Sequence, residues 1–218
     1  MTVDPASLAD ELDRRVRALP APGAVPIRRV RGEFSKRLRA EPAAEVVAVA
    51  LALVDRQRWV GYELVYHHPG GLAALTVRDV VALGRGLGNW GAVDAFGCHV
   101  SGPAWRIGRI DDAVVRDWAA SEDRWWRRAA LVSTVPLNLR ARGGTGDVAR
   151  TLDICTRLAA DSDDMVVKAL SWALRELVIW DAAAVRDFVS AHDGVLAARV
   201  RREVGTKLAT GLKNRPPG

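Results

Sequence analysis

The chain has 218 residues, a formal net charge of +6 and an isoelectric point of about 10.0. No apolar run approaches the roughly 18 residues that a membrane span needs, and two cysteines are too few for a disulfide framework. We therefore expect a soluble intracellular protein. The basic excess leaves two interpretations open, a polyanionic partner or the arginine-rich composition of a GC-rich genome.

Hydrophobic periodicity predicts helices along the chain and no convincing strand. An amphipathic helix is predicted over residues 5–18, followed by a Pro/Gly turn at 19–26 and a strongly basic helix at 27–39. Further helices are predicted at 42–57, 58–68, 76–88, 111–120, 122–134, 147–160, 163–178, 181–191 and 194–209. The segment "NWGAVDAFGCHV" at 89–100 also reads as buried helix, and the closing "KNRPPG" reads as disordered.

A repeat is visible in the second half of the chain. "EDRWWRRAALV" at 122–132 superposes on "SDDMVVKALSW" at 162–172, a shift of 40 residues (162 minus 122). A period of about 40 to 47 residues is typical of HEAT-type helix pairs, which bury their apolar faces by stacking. The predicted fold is therefore all-α, a curved solenoid of HEAT-like antiparallel helix pairs. We predict one domain over 1–210 and a disordered tail at 211–218.

Three clusters of tryptophan and charged side chains are expected on one face of such a stack. They are Trp90 with Asp94; Trp125, Trp126, Arg127 and Arg128; and Lys168, Trp172 and Arg175. Residues four apart share a helix face, so the first and third clusters each form a stripe. Cations neutralise DNA phosphates, and indoles offer flat faces to a base or sugar. A carboxylate among cations opposes phosphate binding, but it stabilises positive charge developing on a sugar during N-glycosidic cleavage.

The same segments resemble the AlkD family of HEAT-like repeat DNA glycosylases. "NWGAVD" is similar to the family's Trp-x-x-x-Asp, "SEDRWWRRAALV" to its Ser-x-x-x-Trp-x-Arg-Arg-x-Ala, and "VVKALSWALREL" to its Lys-Ala-x-x-Trp-x-Leu-Arg-Glu. The segment "GAVPIRRVRGEF" weakly resembles the family's Gly-x-x-x-Pro-x-x-Arg opening. The resemblance covers about residues 22–205.

The resemblance implies a DNA glycosylase that releases cationic N3- or N7-alkylated purines from double-stranded DNA. It implies that the base is not flipped into a pocket and that an abasic site remains. Asp94 would be the catalytic carboxylate, with Trp90 and Trp172 holding the lesion's deoxyribose. The expected DNA-binding residues are Arg128, Arg175, Lys168, Arg127 and Trp126. We predict no cofactor, no metal and no membrane partner, and expect a monomer in the bacterial cytoplasm, associated with the nucleoid.

Other interpretations stay open at this point. Asp94 is also consistent with an ordinary helix-surface acid, and Arg128 and Arg175 with salt bridges between repeats. The chain as a whole is also consistent with a HEAT-like protein that binds damaged or branched DNA without catalysis, or with a protein-binding solenoid. The insertion "ARGGTGD" at 141–147 is interpreted as a flexible linker, and "PAP" replaces the aromatic residues that usually precede the family's opening glycine.

Overall fold

A computed structural model describes residues 4–212, which form helices and no strand. The helices are α1 (Pro5–Arg17), α2 (Ala24–Leu38), α3 (Ala43–Ala52), α4 (Arg58–His67), α5 (Gly71–Ala74), α6 (Val77–Gly84), α7 (Trp90–Phe96), α8 (Gly102–Arg106), α9 (Asp112–Ala119), α10 (Arg124–Asn138), α11 (Val148–Arg157), α12 (Asp164–Leu177), α13 (Ala182–Ala191) and α14 (Ala198–Thr210). A π-helical turn spans Gly97–Ser101, and a short 3-10 helix spans Arg140–Arg142. Within the described residues, no helix is both long and apolar enough to cross a membrane.

The predicted all-α class is confirmed over these residues, whereas the curved solenoid stays a prediction. The single domain over 1–210 also stays a prediction. Of the tail predicted to be disordered, residues 213–218 lie outside the described part of the chain. By its contacts the chain divides into two compact units. One unit contains the residues up to Leu87 and His99–Ile110, and the other contains Gly88–Cys98 and the residues from Asp111 onward.

Short polar side chains start most of these helices. An N-cap oxygen that accepts a backbone N–H satisfies a donor that the first helical turn leaves free. Such caps are formed by Asp4, Thr76, Asn89, Asp111, Asp123, Asp147, Asp163 and Asp181. The sequence repeat superposes two of them, because Asp123 and Asp163 each accept an N–H from two residues further on at 2.8 Å. The repeat therefore marks equivalent starting points of α10 and α12.

The first unit is built on α1 to α4, where α3 packs against α1 and α4, and α2 packs against α4. Leu12, Phe34 and Leu64 are central members of its apolar core. Charges on the basic helix α2 are largely neutralised inside this unit. Arg28 and Arg31 each donate to the buried Glu63 at 3.1 Å, and Arg37 pairs with Glu11. The basic excess of α2 therefore overstates the positive charge that it offers to a partner.

The second unit contains a succession of packed helices, in which α10 contacts α7 and α12, and α12 in turn contacts α14. Helices α9 and α11 also pack against α10. The faces of α10 and α12 that meet are apolar, with Ala129, Val132, Leu170 and Leu174 buried. The second unit is thus built on the packed succession of α7, α10, α12 and α14.

The segment predicted as a flexible linker is packed within this second unit. Trp180 Nε1 donates to the Asn138 carbonyl at 2.6 Å, and the Asn138 side chain accepts from Asp147 N at 3.0 Å. Gly146 has a φ of +86° and lies against the Trp180 ring, where a Cβ would come within 2.7 Å of a ring carbon. The backbone conformation and the space both require glycine there. The linker is therefore a fixed loop.

Candidate functional site

The first turns of α7 present the predicted Trp90 and Asp94. The side-chain oxygen of Asn89 accepts the backbone N–H of Ala92 at 2.9 Å and so caps the helix. Trp90 is the first helical residue and is 61 % exposed. Asp94 lies one turn further on and is partly buried. The two side chains lie one helical turn apart, as their spacing predicted, and the structure shows in addition that the indole is exposed and the carboxylate partly buried.

A close approach between α7 and α10 sets the position of Asp94. The approach occurs at Gly97, the residue that follows α7. A Cβ at Gly97 would lie 2.5 Å from Val132 Cγ1 and 2.9 Å from Val132 Cβ. These distances are far inside van der Waals contact, so the two helices approach this closely only because Gly97 has no side chain. One turn earlier on each helix, Asp94 lies beside Arg128.

Asp94 and Arg128 form an ion pair with several hydrogen bonds. Arg128 Nη2 donates to Asp94 Oδ1 at 2.7 Å and to Oδ2 at 3.0 Å, and Arg128 Nε donates to Oδ1 at 3.0 Å. Arg128 Nη1 also donates to the carbonyl oxygen of Met165, on α12. The Arg128 side chain is only 6 % exposed and that of Asp94 is 22 % exposed. Arg128 thereby connects α7, α10 and α12 beneath the carboxylate.

The protonation of Asp94 is governed by two opposing effects. Burial raises the pKa of the Asp94 carboxyl above its ordinary value of 3.8, while the charge and the hydrogen bonds of Arg128 oppose that rise. Donors that reach both oxygens suit a carboxylate better than a carboxylic acid, whose proton occupies one of the oxygens. The geometry therefore describes an ionised Asp94 in a partly desolvated position.

Helix α12 carries the predicted stripe of cation, indole and cation. Trp172 Nε1 donates to Glu176 Oε1 at 3.0 Å, which fixes the indole along its own helix. Arg175 Nε donates to the carbonyl and the hydroxyl of Ser171 at 3.1 and 3.2 Å. Lys168 pairs with Asp164 at 2.6 Å and remains more than a third exposed. All three members of the stripe therefore have defined positions.

A cleft of about 460 Å³ brings this stripe together with Asp94. Its lining residues are Asp94, Lys168, Trp172, Arg175, Glu176, Arg199 and Glu203. The sequence predicted four of them. Glu176 stands in the segment quoted for the stripe, but no role was assigned to it. Arg199 and Glu203, on α14, were not predicted as site residues, because the sequence there indicated only a helix. A carboxylate, an indole and guanidinium groups in one cleft suit an anionic ligand that carries a positively charged centre.

Four of the predicted residues lie outside this lining, and one of them is Arg128, which pairs with Asp94. Trp90 belongs to the exposed surface of α7. Arg127 is held by Asp161 at 2.7 Å and by two backbone carbonyls. Trp126 packs against Trp118, with ring centroids 5.0 Å apart, and meets Phe96 edge-on. The DNA-binding role assigned to Arg128, Arg127 and Trp126 stays a prediction, and so does the role of Trp90 in holding the deoxyribose. Among the described residues, no group of three or more His, Cys, Asp and Glu is arranged to hold a metal ion.

Comparison with known proteins identifies the family. Searches of curated proteins and of solved structures gave no significant match to this chain. The family model described as "DNA alkylation repair enzyme" matches residues 27–208, most of the chain, including every residue that lines the cleft. The chain belongs to the family of DNA alkylation repair enzymes.

Proposed function

We propose that the protein is a DNA glycosylase that hydrolyses the N-glycosidic bond of cationic N3- or N7-alkylated purines in duplex DNA. The observation that carries the proposal is the Asp94 carboxylate, which lines the same cleft as Trp172 and the cations Lys168 and Arg175. The cations suit the phosphates on either side of a lesion. A carboxylate in this cleft opposes phosphate binding, but it can stabilise positive charge that develops on the ligand.

The reaction separates charge in a way that suits this site. The C1′–N9 bond breaks, its electron pair goes to the purine, and the positive charge of the alkylated base moves to the sugar as an oxocarbenium ion. Asp94 stabilises that ion electrostatically and orients a water molecule. The water oxygen bonds to C1′ and loses a proton to the carboxylate or to solvent. The products are a neutral alkylated base and an abasic site.

The alkylated base is proposed to stay outside any enclosed pocket, as the family resemblance of the Trp90 and Trp172 segments implies. In this arrangement the protein contacts the deoxyribose and the backbone, and the positive charge of the base supplies much of the leaving-group activation. Discrimination would then depend on that charge more than on the shape of the substituent.

The test is base release from duplex DNA containing N7-methylguanine, by the wild type and by Asp94→Asn. We expect the variant to lose a factor of about 10² to 10³ in rate, which is typical of removing one electrostatic contact to a developing charge. Asp153→Asn is the matched control. Asp153 pairs with Arg116 and Arg157 in the same unit, away from the cleft. Full release by Asp94→Asn would exclude the mechanism.

A second candidate function is non-catalytic binding of damaged or branched DNA. The observation in its favour is that both oxygens of Asp94 already accept hydrogen bonds from Arg128, as in a purely structural ion pair. This alternative predicts tight, salt-dependent DNA binding by the wild type without release of an alkylated base. The same assay therefore separates the two functions.

A further inference from the structure

Glu203, on α14, places a carboxylate between two arginines of the cleft. Its Oε2 lies 3.8 Å from Arg175 Nη2, and its Oε1 lies 3.4 Å from Arg199 Nη1. Its shortest hydrogen bond comes from a neutral donor, because Ser171 Oγ donates to Oε2 at 2.7 Å. Charge-assisted pairs in proteins are usually shorter, at about 2.7 to 2.9 Å. Glu203 therefore lies within the field of both guanidinium groups without forming a tight pair with either.

Arg175 has one anchor that does not involve Glu203, the carbonyl of Ser171, and a second one, the Ser171 hydroxyl, that itself donates to Glu203. Its Nε is held by the carbonyl and the hydroxyl of Ser171, on its own helix. Its side chain is only 11 % exposed. The terminal nitrogen that approaches Glu203 is thus presented by a fixed guanidinium group, and removal of the carboxylate would leave that group in position. A fixed guanidinium beside a second one, on a neighbouring helix, is a preorganised receptor for an anion.

The charge balance of the cleft argues in the same direction. Three cations line it, namely Lys168, Arg175 and Arg199, and three carboxylates line it, namely Asp94, Glu176 and Glu203. With equal numbers of each sign, the lining residues have no net positive charge with which to attract a polyanion. Glu176 is engaged by the Trp172 indole, and Asp94 by Arg128. Glu203 is the carboxylate whose departure would leave two guanidinium groups unneutralised.

We propose that Arg175 and Arg199 form a binding site for a phosphodiester, and that Glu203 occupies this site in the DNA-free protein. A backbone phosphate displaces the Glu203 carboxylate and takes bonds from both guanidinium groups. The proposal rests on the proposed function in one respect, namely that DNA is the ligand. It adds Arg199 to the DNA contacts and makes Glu203 a built-in competitor that weakens binding to every DNA sequence alike.

The experiment measures binding of a short, undamaged, fluorescently labelled duplex by anisotropy, over a series of salt concentrations. The variants are Glu203→Gln and the control Asp153→Asn. Glutamine retains an acceptor for Ser171, and Asp153 also lies between two arginines, with 30 % of its side chain exposed against 25 % for Glu203. We expect Glu203→Gln to bind about tenfold more tightly at low salt, with a plot of log K against log salt that is steeper by about one. Asp153→Asn should match the wild type.

Arg199→Gln provides the second arm, which does not depend on how well Glu203→Gln folds. Alone, it should weaken binding and make the salt slope shallower by about one. Added to Glu203→Gln, it should remove most of the gain. The inference would be overturned if Glu203→Gln and Asp153→Asn bound the duplex equally, or if Arg199→Gln left the salt slope unchanged. Wild-type DNA binding and base release would still leave the proposed function intact in either case. Absence of DNA binding by the wild type would instead contradict both proposals.

Discussion

The Asp94–Arg128 pair is the residue-scale feature on which the site depends. The sequence left two interpretations of Arg128 open, a DNA contact or a salt bridge between helices. The structure places it in the salt bridge, with Asp94 34 residues away and a further bond to the Met165 carbonyl. Sequence spacing places residues on one helix face, but it does not identify a partner on another helix. Arg128 is therefore a positioning residue for the carboxylate in the DNA-free protein.

Arg128→Gln is expected to destabilise the fold. It leaves the partly buried Asp94 without its charge partner, and losing one member of a buried pair costs several kcal/mol. Because Asp94 retains some solvent access, we expect the free energy of unfolding to fall by about 2 to 3 kcal/mol, measured by urea denaturation. Arg124→Gln is the control. Arg124 pairs with Asp163 at 3.5 Å and is 53 % exposed, so its loss should cost less than about 1 kcal/mol.

The double variant Asp94→Asn with Arg128→Gln refines this prediction. It buries no unpaired charge, so it should be more stable than Arg128→Gln alone. A double variant that is less stable than both single variants would show that the pair contributes through packing and not through charge.

The pH dependence of base release reports on Asp94. Burial raises the folded-state pKa of this carboxyl above 3.8, and the proposed mechanism requires the ionised form. The rate should therefore be constant at neutral pH and should fall as the pH decreases through the raised pKa, with a midpoint above 3.8. Single-turnover release measured against pH, after subtracting release without protein, tests this. A midpoint at or below 3.8, or the same acid limb in Asp94→Asn, would contradict the assignment.

At the scale of helices, the site depends on the succession α7, α10, α12 and α14. The repeat in the sequence predicted α10 and α12 because an acid, an apolar stretch, a basic residue and an alanine recur in the same order. The sequence did not predict the break between α6 and α7, the π-helical turn at Gly97–Ser101, or the contact of Gly97 with Val132. The last of these depends on two residues that are far apart in the chain. Nothing in the local pattern distinguishes a glycine at a helix crossing from any other helical glycine.

Gly97→Ala is expected to move α7 away from α10. The added Cβ would come within 2.5 Å of Val132 Cγ1, and overpacking of this kind costs about 1 to 3 kcal/mol. Base release should fall more than DNA binding, because the shift separates Asp94 from Arg128 and leaves the cations of α12 in place. Thermal unfolding and single-turnover kinetics measure the two effects.

Two controls sharpen this test. Adding Val132→Ala should restore part of the lost activity, because it removes Cγ1, the atom nearest to the new Cβ, and leaves Val132 Cβ at 2.9 Å. Gly91→Ala changes an exposed glycine of the same helix, where the nearest atom would be 3.4 Å from the new Cβ. It should leave activity unchanged and stability equal or slightly higher. A similar loss in Gly91→Ala and Gly97→Ala would point to helix flexibility and not to the crossing.

At the scale of the whole molecule, the net charge of +6 is consistent with an anionic partner, but it does not show which cations are available to that partner. Many of the arginines are paired within their own unit, among them Arg116, Arg127 and Arg150. The cleft itself contains equal numbers of cations and carboxylates. Charge counted along a sequence does not show which cations face acids on a neighbouring helix, and this is also why Arg199 and Glu203 gave no signal.

The all-α class was predictable because it follows from local periodicity, whereas the roles proposed for the site residues depended mainly on the family resemblance of their segments. Asp94, Lys168, Trp172 and Arg175 lie at helical spacings within their own segments, and the cleft brings them together. Arg127 and Trp126 were grouped with them because they stand, with Arg128, in the segment "SEDRWWRRAALV". Successive helical residues point in different directions, so adjacency in the sequence is a weak guide to a shared surface.

Single-turnover release from duplex DNA that carries one N7-methylguanine tests the central claim most directly. The wild type, Asp94→Asn and Asp153→Asn would be compared, with free base and abasic sites both quantified. The account predicts that the wild type and Asp153→Asn each release free base and abasic sites in equal amounts. Asp94→Asn should retain DNA binding and lose a factor of about 10² to 10³ in the rate of base release. Base release by Asp94→Asn at the wild-type rate would contradict it, as would a wild type that binds the duplex and releases nothing.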